Sequence, residues 1–274
     1  MNTPEPSAMT SQSPVADRLA VVALLLAVMA AAAGLLIPAL YRDTAEMVRQ
    51  ARSTDLTTLA AATPALGLGL WRARSGSHRG RLVALGALGY LAYSYAIFGF
   101  SVVVNPMTPV HIAILGLASW SLVLAVSGLN GARPIRMPRR TTGVFLIVVS
   151  GLFALLWLSQ IAGAITSGEL PTAVTALNLP TSAIYALDLA FALPILTVAG
   201  LWLVRNDRRG AASALAGLCW LALTGLSVLV IFGMDATASV AVHPVPVAIF
   251  TIITGIATVL AGISLTSRRP AAEA

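Results

Sequence analysis

The chain has 274 residues, 58% of them hydrophobic and only 10% charged, with a net charge of +7 and a mean hydropathy of +0.88. Soluble domains carry about 25% charged residues, so these charges are too few to cover a water-facing surface. They fall in short tracts between apolar runs of roughly 17 to 25 residues, the length a helix needs to cross a bilayer, and the short alternating segments of a β-barrel are missing.

All 17 basic residues are arginine. Without lysine there is neither a Schiff-base retinal attachment nor a phosphate-cradling glycine loop with its lysine. Arginines at span ends fix topology and meet anionic lipid. That accounts for the positive charge through the lipid bilayer as partner, and no nucleic acid is expected. Cys219 is the sole cysteine and lies in an apolar run, so no intramolecular disulfide can form.

In chain order, residues 1–17 form a Pro-, Ser- and Thr-rich tail of disordered composition. A single transmembrane domain follows over 18–266, then a cytoplasmic tail over 267–274. The fold class expected is an all-α membrane protein with eight transmembrane helices, at about 18–41, 55–71, 81–104, 108–128, 141–166, 181–204, 210–233 and 244–266. The first run is too long, and its leading segment too weakly basic, for a signal peptide.

Fourteen arginines fall on one side of this arrangement: Arg18, Arg72, Arg74, Arg79, Arg81, Arg133, Arg136, Arg139, Arg140, Arg205, Arg208, Arg209, Arg268 and Arg269. Three fall on the other: Arg42, Arg49 and Arg52. The positive-inside rule therefore puts both termini in the cytoplasm, with the chain in a bacterial inner membrane. Trp71 and Trp202 then sit at cytoplasmic helix ends, where indoles anchor. Between the first two spans, Arg42 to Thr54 has helical composition and fits either an interfacial helix or an extension of the first span. Thr166 to Pro180 is weakly apolar and fits a surface segment or a cap over a cavity.

The second and sixth spans end alike, "GLGLWRARSGSHRG" and "VAGLWLVRNDRRG". Each has a proline upstream (Pro64, Pro194), Gly-Leu-Trp at its end, and Arg-Gly opening the next span. Ile-Phe-Gly recurs in the third and seventh spans, and "PVHIAI" and "PVPVAI" open the fourth and eighth. Gly-Leu-Trp, Ile-Phe-Gly and the Pro-Val openings lie 131, 134 and 135 residues apart. They suggest two parallel four-helix repeats, 18–128 and 141–266, related by an axis along the membrane normal. Small residues at every fourth position (Ala23, Ala27 and Ala31; Thr254, Thr258 and Gly262) allow close helix contact, within the chain or between copies of a homo-oligomer.

Asp188 stands inside the apolar stretch "AIYALDLAFALPI". A mid-helix Asp costs ~2.5–3.5 kcal/mol on insertion scales, and such residues usually face a bundle interior or wet cavity. Tyr185 lies three residues earlier on the same face, and Arg42 is the candidate ion-pair partner. Tyr93, Tyr95, Asn105, His111 and Gln160 fall at a similar depth. Together they make a candidate ligand-binding cavity open to the outside. The acid nearest Asp188 in the second span, Asp55, is expected at the membrane rim. The three histidines show no metal-binding spacing, and neither a metal nor a cofactor is expected.

At "GYLAYSYAIFGFSVVVNP" and "LPTSAIYALDLAFALP" the sequence resembles a group of uncharacterised bacterial multi-pass membrane proteins. They share a tyrosine-rich helix followed by Asn, and an Asp-Leu-Ala-Phe helix with a downstream proline. The matching positions are Tyr90, Tyr93, Tyr95, Asn105, Asp188 and Pro194. The resemblance implies a multi-pass membrane fold and no particular activity.

The leading functional expectation is the binding or transport of a small molecule around Asp188. A membrane-embedded enzyme with Asp188 and His111 as an acid–base pair is the alternative, followed by a non-catalytic sensor or assembly protein held together by these polar groups.

Overall fold

The computed structural model of the chain describes residues 14–127 and 135–267. Most of the N-terminal tail, the C-terminal tail and Arg133, Arg268 and Arg269 lie outside the described residues, which form helices and no strand. The long helices are α1 (Pro14–Leu36), α4 (His78–Ser101), α5 (Thr108–Ser127), α6 (Arg139–Ser167), α10 (Gly210–Thr237) and α11 (Pro244–Thr266). Two further long helices are each interrupted by one π-helical turn. One comprises α2 (Ala45–Thr57), the turn Thr58–Ala62 and α3 (Thr63–Arg74). In the other, a short α7 (Thr172–Ala176) precedes α8 (Ala183–Leu187), the turn Asp188–Ala192 and α9 (Leu193–Val204).

Among the described residues, seven helices are long and apolar enough to cross a membrane: α1, α4, α5, α6, α8–α9, α10 and α11. Their outward faces are Leu, Val and Ile, including Leu25, Leu152, Leu155, Ile252 and Val259. Apolar surface of that extent on every side belongs against lipid tails, and the chain is a multi-pass helical membrane protein.

The helix through α2 and α3 is not among the seven, although it is of comparable length. The segment 42–54 is no extension of the first span, because α1 ends at Leu36. It contains the opening turns of this second long helix, whose start is fixed by Thr44 Oγ1 accepting from the Met47 N–H at 3.3 Å. The low hydropathy has a packing cause. Ser53, Asp55, Thr57, Thr58 and Thr63 are buried against α1, α4 and α10, so protein and not lipid surrounds them.

Contacts between helix ends sort the chain onto two sides. On one, Arg81 pairs with Asp17, Ser121 Oγ donates to the Ala16 carbonyl, Arg79 donates to the carbonyls of Leu265 and Ser267, and Arg139 donates to Asn206. On the other, Asp43 accepts from the Val103 N–H and Arg49 pairs with Asp235 at 2.6 Å.

The two interrupted helices share their local geometry at a constant spacing of 130 residues. In each, the N–H that follows the turn (Thr63, Leu193) bonds the carbonyl five residues back (Thr58, Asp188). Pro64 and Pro194 come next. Proline crowds the carbonyl four residues before it, here Ala60 and Ala190, and a π turn opens the helix at that point. Each helix ends in a left-handed residue, Gly76 (φ 79) or Asn206 (φ 57). The following N–H then closes back on the carbonyl of Arg72 or Trp202.

Gly80 and Gly210 then lie so close to the preceding helix that a Cβ on Gly210 would sit 2.5 Å from the Leu203 nitrogen. The Gly-Leu-Trp tripeptides, 131 apart, are thus one residue out of this register. Ile-Phe-Gly, 134 apart on helices uninterrupted from Gly80 and Gly210, is one helical turn out.

Central to the bundle is the crossing of α4 and α10. A Cβ on Gly86 would meet the Cys219 Cβ at 2.5 Å and the Ala216 carbonyl at 2.7 Å. Ala216 is the counterpart of Gly86 at the same spacing of 130, so equivalent positions face each other. Around that crossing α2 packs on α10 while α8 packs on α4. One departure from this correspondence stands out. In the first half α1 and α5 pack closely, with Ala23, Ala27 and Ala31 fully buried. That stripe is consumed inside the chain and is not free to pair copies. The corresponding α6 and α11 form no such packed pair.

Candidate functional site

Beside the looser α6–α11 flank lies a cavity of about 200 Å3, lined from α2, α4, α6, α8–α9, α10 and α11. Asp188 is its ionisable acid. The π turn that precedes Pro194 begins at this residue, and its carboxylate meets α4 and α6. Tyr93 Oη donates to Oδ1 at 2.8 Å and Trp157 Nε1 donates to Oδ2 at 2.7 Å. Both oxygens are therefore held by neutral donors. Trp220 stands edge-on to Tyr93 with ring centroids 5.4 Å apart.

Most of the lining is aromatic or aliphatic, including Tyr90, Phe98, Phe153 and Phe250. Gln50, Thr54, Ser94, Thr224 and Ser227 supply neutral polar groups, and no Arg or His is among the lining residues. Such a surface can desolvate an apolar molecule and fix it through one carboxylate and a few hydroxyls.

Of the residues expected around Asp188, only Tyr93 bonds it. Tyr185 does not; its hydroxyl donates to Gln160 Oε1 at 2.7 Å, and its ring packs on Trp157 at 5.5 Å. Tyr185 and Gln160 thus buttress the Trp157 that holds Asp188. Tyr95, Asn105 and His111 are not brought to the cavity. Tyr95 points back to the Ala27 carbonyl in the first-half core. Asn105 caps the start of α5, its Oδ1 accepting from the Met107 N–H at 2.9 Å. His111 is buried against Phe98 and Tyr95, with ring centroids 4.7 and 5.6 Å away. It does not line the cavity, so Asp188 and His111 share no substrate position there. Arg42 is exposed and does not pair with Asp188. The ion pair found at that side is Arg49–Asp235, not the expected one.

Trp157, Trp220 and Phe153 were missed because aromatic residues in apolar runs read as packing. One signal was available: Trp157 lies three residues before Gln160 and so shares its helix face.

Asp55 is buried in the protein interior. It is 1% exposed against 7% for Asp188, and Tyr41 Oη donates to its Oδ2 at 2.6 Å. Space around that carboxyl is full, since a Cβ on Gly34 would collide with it and with the Tyr41 hydroxyl. At the spacing of 130, Asp55 corresponds to Tyr185 and Asp188 to Thr58. The two acids therefore do not occupy matching positions.

No group of three or more His, Cys, Asp or Glu that could hold a metal occurs among the described residues. No family model, curated protein or solved structure matches this chain.

Proposed function

We propose that the chain is an eight-span inner-membrane protein that binds a small, largely apolar molecule in the cavity between its halves and moves it across or out of the bilayer. The carrying observation is Asp188, a buried carboxylate fixed by Tyr93 and Trp157 inside a cavity otherwise apolar and neutral. Intramembrane acids in such settings mark ligand and ion pathways.

Counting α2–α3 as a span is supported by its two ends: Arg49 meets Asp235 on one side, while Ser77, just past Arg74, adjoins the side of Arg79 and Leu265. Arginine crowding on that second side supports cytoplasmic termini. The 130-residue register and the meeting of Gly86 with its counterpart support two parallel repeats about an axis along the membrane normal. Met47, Gln50, Val102 and Ile184 line the cavity near the Arg49–Asp235 side, which supports an outward opening.

Thiol labelling tests this. In a Cys219→Ala background, Ser94→Cys should react with a membrane-impermeant methanethiosulfonate added from outside to intact cells. Ser75→Cys should react only after the membrane is opened. An inserted Ser94→Cys that is never labelled from outside would defeat the outward cavity, and labelling of Ser75→Cys in intact cells would reverse the orientation.

A further inference from the structure

We infer that the ligand is an organic cation, an amine or quaternary ammonium carried on an apolar body; this rests on the cavity reading above. Three observations converge on it. Asp188 forms no ion pair among the described residues, and no Arg or His lines the cavity. A carboxylate out of water and unpaired is too costly to persist, so it carries either a proton or a cationic partner. Second, both its oxygens are already oriented by Tyr93 and Trp157. The anion is thereby positioned without being neutralised, and room for the missing positive charge is on the cavity side. Third, aromatic rings stand around that space: Tyr93, Trp157, Trp220, Phe153 and Phe250. Ring faces attract cations, quaternary ammonium groups above all, and the attraction grows when water is excluded.

An anionic ligand would meet a like charge and no donor cation. A neutral ligand would leave Asp188 holding its proton and would draw nothing from the one acid the cavity offers. Proton and cation therefore compete for Asp188, and cation binding displaces the proton. Asp55 offers no such room, because Gly34 and Tyr41 fill the space around it.

The test uses the full chain in nanodiscs and two probes of the same shape, benzyltrimethylammonium and its neutral carbon isostere neopentylbenzene. Binding is read by quenching of tryptophan fluorescence against empty nanodiscs. The cation should bind at least tenfold tighter than the isostere at pH 8, and Asp188→Asn should bring that ratio to about one. The titratable groups lining the cavity are Asp188, Tyr90 and Tyr93, with none contributed by α2, α6, α10 or α11. Cation affinity of the unmodified chain should therefore rise between pH 5 and 8 while isostere affinity stays flat, a readout that survives if Asp188→Asn does not insert. Equal affinity for both probes, or a preference unchanged by pH and by Asp188→Asn, overturns the cation assignment and leaves the apolar cavity standing. Binding of neither probe overturns the cavity reading itself.

Discussion

Single residues divide the two buried acids by the space around them. Asp188 faces a cavity, whereas Asp55 is packed against Gly34 and bonded by Tyr41. Removing one partner of a buried hydrogen bond leaves the other unsatisfied, at ~1–3 kcal/mol. Tyr41→Phe should therefore lower thermal stability in detergent by about that amount and leave probe binding in the cavity unchanged. Gly34→Ala should cost more, since its methyl group collides with the Asp55 carboxyl. Equal melting temperatures for Tyr41→Phe and the unmodified chain would show that the Asp55 pair holds nothing together.

Sequence reading found Asp188 and Tyr93 because polar groups in apolar runs are conspicuous. It also gathered Tyr95, Asn105 and His111, because depth along a helix was legible and direction around it was not. At 100° per residue, Tyr93 and Tyr95 point about 160° apart. One meets Asp188 and the other the Ala27 carbonyl.

At the scale of an element, the π turn before Pro194 decides where Asp188 points. A π turn accommodates one residue more than an α turn, and a residue carries 100° of rotation and 1.5 Å of rise. Pro194→Ala removes the crowding that favours the turn. The segment Ala183–Leu187 should then rotate, drawing Asp188 away from Tyr93 and Trp157 and weakening benzyltrimethylammonium binding by roughly tenfold. Binding unchanged in Pro194→Ala would mean that packing, and not proline, sets the turn.

The loop after α9 carries a pH dependence of its own. Hydrogen bonds from the Arg209 side chain and backbone hold the exposed Asp207 carboxyl down at about 2, from an ordinary 3.8. A depressed carboxyl stabilises the folded loop above its unfolded value, and that contribution is lost as pH falls through the folded one. Hydrogen exchange of the Arg209 amide should accelerate, beyond the intrinsic pH trend, between about pH 4 and pH 2. In Asp207→Asn it should already be fast at pH 6. Helix positions were legible from apolar runs at most spans. For the opening turns of α2 the helical composition was legible but its continuity with the following helix was not, and only tertiary packing shows that Met47 and Ala51 are buried.

For the whole molecule, the geometry shared by the two interrupted helices and its exception belong together. Matched landmarks were visible in sequence, but the spacing of 130 that the two interrupted helices share was blurred by tripeptide matches one residue and one turn away. It took the backbone turns at Thr58 and Asp188 and the meeting of Gly86 with Ala216 to fix it. Under that register Phe153 and Phe250 correspond to Ala23 and Trp120. Ala23 is fully buried in the tight α1–α5 contact, whereas α6 and α11 are bridged by aromatic rings, Phe153 to Phe250 at 5.7 Å. Small residues let one pair of helices close, and large rings hold the other pair apart beside the cavity.

For the amphipathic cation inferred above, this flank is the expected lateral route from lipid. Cysteines at Phe153 and Phe250 in a Cys219→Ala background, joined by a short bifunctional maleimide, should slow both association and release of benzyltrimethylammonium by at least tenfold. Measured against the same double-cysteine variant before cross-linking, which lacks the same two rings, equilibrium affinity should change less than either rate, because Asp188, Tyr93 and Trp157 are untouched by the link. Rates unaffected by the cross-link would mean that the ligand enters only past Gln50 and Val102, from water and not from the bilayer.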